Sequence, residues 1–191
     1  RENGRLKKVS WLEAQKILIN KLKSFNSNEI AGMVGELADL EMIYSFKSFF
    51  EKTLGSKNLE CRQDRIYLNP EDRMNYIFNS SINGIEESDL ILLVGTNPKL
   101  EATILNARIR KSYLKNKVKI YSIGNPGDLT YPYENIGSST SIIEKIISDT
   151  HEISIKIKKS KKPMIIIGES ALYGSTGQYV FEKIKTYLFK N

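Results

Sequence analysis

Hydrophobic positions along the chain follow two periods in turn, short unbroken apolar runs and stripes at helical spacing. Ser10 with Glu13 makes a capping box, after which Trp11, Ala14, Leu18 and Leu22 recur on one face of a helix. Glu29–Gly35 (EIAGMVG) reads as a short buried strand ending in glycine. Leu37, Leu40 and Tyr44, with the row Ile43, Phe46 and Phe50, give the next helix a broad apolar face up to Gly55, and Asn58–Arg62 offers another strand. Residues 68–89 are rich in loop formers, with room for one helical turn after Pro70.

The clearest unit follows. Leu90–Val94 is an apolar run that breaks at Gly95; Asn97 and Pro98 suit the N-cap and first position of a helix running to Leu114, and Lys117–Ile123 is a second strand. This spacing predicts one βαβ crossover with parallel strands. Ser141 with Glu144 opens a helix through Ser148. Pro163–Gly168 (PMIIIG) is a fully apolar strand, and Ser175 with Gln178 caps a last helix that buries Phe181, Ile184 and Leu188. Apolar strands alternating with helices predict an α/β fold, three-layered, with a mainly parallel doubly wound sheet. We expect a single α/β domain, or part of one, with residues 1–28 as a helical lead-in and 29–191 as the core.

Composition trims the functional classes. Against 22 Asp and Glu stand 29 Lys and Arg, a net charge of +7, but only seven of the basic residues are Arg, and the densest run, Lys156–Lys162, is Lys-only and reads as a solvated loop. A nucleic-acid reader would cluster Arg with exposed aromatics, so no nucleic-acid partner is expected. Cys61 and His151 are each alone, which leaves no His and Cys set for zinc or an iron–sulfur cluster. No apolar run approaches the roughly 20 residues of a membrane span, so direct membrane insertion is not expected. The polar opening without Met reads as the middle of a longer chain.

Three stretches invite chemistry. At Gly95, Thr96 and Asn97 the chain turns from strand to helix, and the amides of Lys99 and Leu100 behind the turn form a potential phosphate site. The turn lacks both the G-x-G-x-x-G fingerprint and the G-x-x-x-x-G-K-[ST] loop, and Arg108 and Arg110 lie too far along the helix to clamp a phosphate on its first turn. Gly168–Gln178 half-resembles a nucleophile elbow around Ser170, but Leu172 stands where the closing glycine belongs, and the sole histidine comes before the serine. Glu86, Glu87 and Asp89 cluster before the Leu90 strand; without His or a second acidic group they read as a solvated first turn.

Phe78–Lys111, with N-x-x-I-x-G-I-E-E-x-D, the strand, G-T-N-P and the E-A…N-A-R-I-R-K helix, resembles the large iron–sulfur (75-kDa or G) subunit of respiratory complex I, NADH:quinone oxidoreductase. Gly124–Gly137 and Lys161–Leu172 look like the same protein, in the expected order. The resemblance implies a piece of its C-terminal region, which shares the fold of molybdopterin-dependent oxidoreductases. In the molybdenum enzymes the G-x-N-P turn lies beside the guanine-nucleotide end of the cofactor; in complex I the fold is kept and that cofactor lost. The iron–sulfur clusters of the family are bound by cysteines in its N-terminal part, so none is carried over to a chain whose only cysteine is Cys61. The expectation is a scaffold and interface segment with no catalytic residue, metal or cofactor of its own. Its partners would be other subunits of the peripheral arm, on the cytoplasmic side of a bacterial inner membrane or the matrix side of a mitochondrial one. The alternative is a molybdopterin-guanine-dinucleotide-binding oxidoreductase domain in which Gly95, Thr96 and Asn97 touch the nucleotide.

Overall fold

The computed structural model describes residues 3–35, 37–61 and 65–190, and the chain divides into two compact units, Arg1–Gln63 and Asp64–Asn191. The boundary between them thus falls well past residue 28, where the sequence pattern ends its lead-in.

In the first unit, α1 (Trp11–Leu22) starts where expected, with Ser10 Oγ accepting from the Glu13 amide at 3.2 Å. None of the α1 residues is buried, and Trp11 is 86% exposed. The buried strand expected at Glu29–Gly35 shrinks to β1 (Gly32–Met33), half-buried and exposed, paired in parallel with β2 (Leu59–Glu60). Two residues on each side make only a short ladder, so there is no sheet face for a run of apolar side chains to cover. The expected second strand's last residue, Arg62, lies outside the described residues. Between the strands, α2 (Leu40–Ser48) begins on an Asp39 cap and continues as a π-helical turn, Phe49–Leu54, that ends at Gly55 with φ 66°. Gly32 is required here: a Cβ would sit 2.6 Å from the Phe50 ring and 2.8 Å from that of Phe46. Those two rings, 4.6 Å apart, close over it, and Phe50 and Ile30 are the buried large apolar residues described in this unit.

The second unit carries the parallel sheet. β3 (Leu90–Val94) lies at its centre, α3 (Pro98–Glu101) and α4 (Thr103–Asn116) follow, and β4 (Lys119–Ile123) returns beside β3 in parallel, Leu90 opposite Lys119 and Val94 opposite Ile123. The crossover helix, expected unbroken from Pro98 to Leu114, is interrupted at Ala102 and runs on to Asn116, where Lys117 ends it in the left-handed region. β5 (Glu134–Gly137) extends the sheet beyond β4; α5 (Ser141–Ile147), α6 (Glu152–Lys159), β6 (Pro163–Ile167) and α7 (Gly174–Lys190) complete the order β5-β4-β3-β6, all parallel.

Every residue of β3 is buried, and alternation sends its side chains to two cores. Leu90, Leu92 and Val94 pack with Ile143, Ile146, Ile153, Ile157, Val180 and Ile184 from α5, α6 and α7. Ile91 and Leu93 pack on the other face with Ile85, Ile109 and Leu129. This is the three-layer α/β architecture expected of the sequence. Two expectations for the helices need correction. The Lys-only run is not a loop, because α6 occupies its first part, capped by His151 Nδ1 accepting from the Ile153 amide at 3.2 Å. On α7, Val180, Ile184 and Tyr187 face inward, whereas Leu188 is 44% exposed and Phe181 half-buried.

Candidate functional site

At the carboxyl ends of parallel strands an α/β sheet ordinarily leaves a crevice for ligands. In this chain the turns after β3, β4 and β6 meet there. Gly95 leaves β3 with φ 54°, and a Cβ on it would lie 2.7 Å from both Cβ and the amide nitrogen of Ala171. Gly168, at the end of β6, is as tight, since a Cβ there would meet Thr96 and lie 2.5 Å from the Gly95 carbonyl oxygen. Ser170 Oγ donates to that same oxygen at 2.6 Å. The single helical turn Glu169–Leu172 is therefore pressed onto the Gly95 turn. The glycines serve this close approach of two loops.

Asn97 caps as expected: its Oδ1 accepts from the Leu100 amide at 3.2 Å, and its Nδ2 donates to the Pro126 carbonyl at 2.7 Å, tying the turn after β3 to the loop after β4. Lys99 Nζ adds a second tie to that loop, 2.8 Å from Asp128. Besides the Leu100 amide, two further donors at the turn are already engaged. Glu101 folds back so that Oε1 accepts from the Asn97 amide and Oε2 from Thr96 Oγ1, both at 2.7 Å. A charged acceptor on two converging donors is the arrangement a phosphate would seek, and here the chain provides its own carboxylate. Sequence reading missed Glu101. The available signal was its position four residues after Asn97, which brings a side chain back over the start of a helical turn.

Arg108 and Arg110 do not face this turn. Arg108 Nη1 lies 2.5 Å from Glu86 Oε1, Lys111 Nζ is 2.9 Å from the same carboxylate, and Arg110 Nε donates to the Thr130 carbonyl at 3.4 Å. Hydrogen bonds from Lys111 and Arg108 hold the Glu86 carboxyl below its ordinary range. Asn116 Nδ2 donates to the Glu86 carbonyl at 2.7 Å, so Glu86 fastens the turn before β3 to the middle and the C-terminal end of α4. Glu87 pairs with Lys162 at 2.5 Å, and Asp89 accepts from the amides of Lys161 at 2.8 Å and Lys162 at 3.1 Å and from Ser160 Oγ. Although desolvation raises the Asp89 pKa, those hydrogen bonds outweigh it and the net shift is downward. The acidic cluster is thus not a free solvated turn. It is a clamp that ties two distant segments to the base of β3.

The remaining candidates are likewise committed to structure. Ser170 donates to Gly95, and His151 caps α6. Within the basic run, Lys156, Lys158 and Lys162 pair with Glu152, Asp149 and Glu87. Asn106, buried in α4, donates to the Leu129 carbonyl at 3.1 Å and accepts from Tyr131 at 2.7 Å; burial pushes that phenol's pKa well up.

Fold and site together describe a parallel, three-layer α/β domain whose loops at the carboxyl ends of the strands are tied to one another. The chain belongs to the molybdopterin oxidoreductase family, whose model matches residues 1–191. It is similar to the NADH-ubiquinone oxidoreductase 75 kDa subunit of Reclinomonas americana, 42% identical over 203 residues that cover 100% of this chain and 29% of that protein. It is also similar to the G subunit of NADH-quinone oxidoreductase from Rickettsia prowazekii (strain Madrid E), 37% identical across 94% of this chain and 26% of that one. The resemblance seen in Phe78–Lys111 thus extends over the whole chain, which spans little more than a quarter of the length of these relatives.

The family implies a molybdopterin cofactor, and the residues at the Gly95 turn do not fit its anionic nucleotide end. The Glu101 carboxylate sits on the two donors such a group would need, and its negative charge would repel a second anion. On the side where a Cβ would project, Ala171 stands against Gly95 and Thr96 against Gly168.

Proposed function

We propose that this chain is a scaffold and interface segment of a large iron–sulfur subunit of NADH:quinone oxidoreductase, without a redox centre of its own. In this reading it supports electron transfer from NADH towards quinone by holding neighbouring parts of the peripheral arm in place. Its partners are other subunits of that arm, and its location is the cytoplasmic face of a bacterial inner membrane or the matrix face of a mitochondrial one. Among the described residues no helix is long and apolar enough to cross a membrane, in keeping with a peripheral place. The observation that carries the reading is the occupation of the Asn97 amide and the Thr96 hydroxyl by Glu101.

The test is thermal unfolding with millimolar NADH, GTP and a guanine dinucleotide, alongside molybdenum analysis of the purified full-length protein. A ligand at about 100 times its dissociation constant would stabilise the protein by about 2.7 kcal/mol. The expected result is no shift and no molybdenum. A shift of that size that Asn97→Leu removes, or stoichiometric molybdenum, overturns the reading in favour of a cofactor-binding domain.

A further inference from the structure

β6 is the outer strand of the sheet among the described residues, yet it is built like an inner one. Met164, Ile165, Ile166 and Ile167 are four successive apolar residues, of which Met164 and Ile166 are buried and the other two half-buried. Strands at a true edge are usually blunted by charge, proline or a bulge. Here the only such features, Lys161, Lys162 and Pro163, come before or at the first position of the strand.

The register determines which peptide groups are free. The Gly168 amide donates to the Val94 carbonyl at 2.9 Å, with Val94 opposite Ile167. Peptide groups alternate sides along a strand, so Met164 and Ile166 turn their N–H and C=O towards β3. Ile165 and Ile167 turn theirs outward. Beside this open edge lies a groove of about 370 Å³, with residues 74–80 along its other wall and Leu172 and Phe181 among its lining. In that wall Asn75 accepts from Lys185 Nζ at 2.7 Å through Oδ1, while its Nδ2 is buried without a hydrogen-bond partner. An unpaired buried donor is costly, and it sits in a groove that already offers unpaired backbone.

We propose that this groove receives an extended polypeptide strand that adds to the β6 edge, supplied by polypeptide beyond residues 1–191. A strand matches the outward amides and carbonyls of Ile165 and Ile167 in alternation, sends alternate apolar side chains onto Ile77, Phe78 and Leu172, and offers Asn75 Nδ2 a carbonyl. A small molecule could fill the volume but not repeat that hydrogen-bond order along the edge. The length required is at hand in the relatives, since this chain corresponds to 29% of one and 26% of the other. The proposal is independent of whether the Gly95 turn binds a nucleotide.

The experiment uses the full-length protein. Residue-resolved hydrogen exchange is expected to show the Ile165 and Ile167 amides protected to the same degree as those of Met164 and Ile166. Fast exchange at 165 and 167 beside slow exchange at 164 and 166 overturns the proposal. In parallel, a benzophenone amino acid in place of Phe78 is photolysed and the adduct mapped by mass spectrometry. The expected adduct joins position 78 to a peptide of the same polypeptide outside residues 1–191. An adduct confined to residues 64–191, an adduct with a different chain, or no polypeptide adduct each overturns it.

Discussion

The two units of this chain are written in much the same alphabet and solve the burial problem differently. In residues 1–63 the helices carry clear apolar stripes, yet only Ile30 and Phe50 among the large apolar side chains described there are buried. In residues 64–191 the apolar stripes of the helices are buried on both sides of β3. The difference is the platform. A four-stranded parallel sheet presents two flat faces on which helices can remove apolar area from water, at about 25 cal/mol per Å², whereas the two-residue pairing of β1 with β2 presents none. Amphipathicity states which face of a helix wants burial; a sheet, or another polypeptide, must supply the cover.

The largest expected effect separates the units by matching substitutions. Val94→Asp places an unpaired carboxylate in a strand residue that is 2% exposed, at a cost of several kcal/mol. Leu18→Glu, at a position 57% exposed, should change stability by about 0.5 kcal/mol or less. Thermal unfolding, with exchange of the β3 amides reporting the second unit, checks both. Similar losses from the two variants would mean that α1 is packed as tightly as β3.

A smaller effect, internal to the second unit, sharpens the role of its loops. Gly95→Ala forces a Cβ to 2.7 Å from the Ala171 backbone at a φ of 54°, and should destabilise by about 1–3 kcal/mol. Gly4, whose φ is also positive at 77°, has open space for 4 Å around the position a Cβ would take; Gly4→Ala keeps only the milder cost of a left-handed alanine, about 1 kcal/mol. A Gly95→Ala protein as stable as Gly4→Ala would show that the two turns are not pressed together.

The smallest effect is on pH dependence. The folded pKa of Glu86 is depressed from its ordinary 4.5 by Lys111 and Arg108. That contribution is therefore fully present above the unfolded value and is lost as pH falls through the lower folded one. Asp89, likewise depressed from 3.8, acts in the same direction. The melting temperature of the second unit should fall as pH drops below about 4.5, and Glu86→Gln should flatten that acid limb while lowering stability at neutral pH. An unchanged acid limb in Glu86→Gln would remove the clamp from the account.

Much of this molecule was legible in the order of its residues. The run Leu90–Val94 can only be a strand buried on both faces, Asn97 and Pro98 mark a helix start by their own local chemistry, and Ser10 caps α1 through an amide three residues away. The same is true of the three-layer class, because apolar runs and helical stripes are periods within one segment. What the tertiary structure decided are pairings between distant residues. β5 is short, polar and half-exposed, and is a strand only because β4 offers it an edge. At the end of the Lys-rich run, Lys162 finds Glu87, 75 positions away in the chain. Glu86 and Asp89 became a clamp because α4 and the segment after α6 pass beside them. The Gly95 turn, which by sequence alone invites a phosphate, was closed when the β6 loop brought Ala171 onto its glycine and Glu101 turned back onto its donors. Local sequence determines which groups want a partner, and only the folded chain, by bringing residues tens of positions apart within hydrogen-bonding distance, determines which partner arrives.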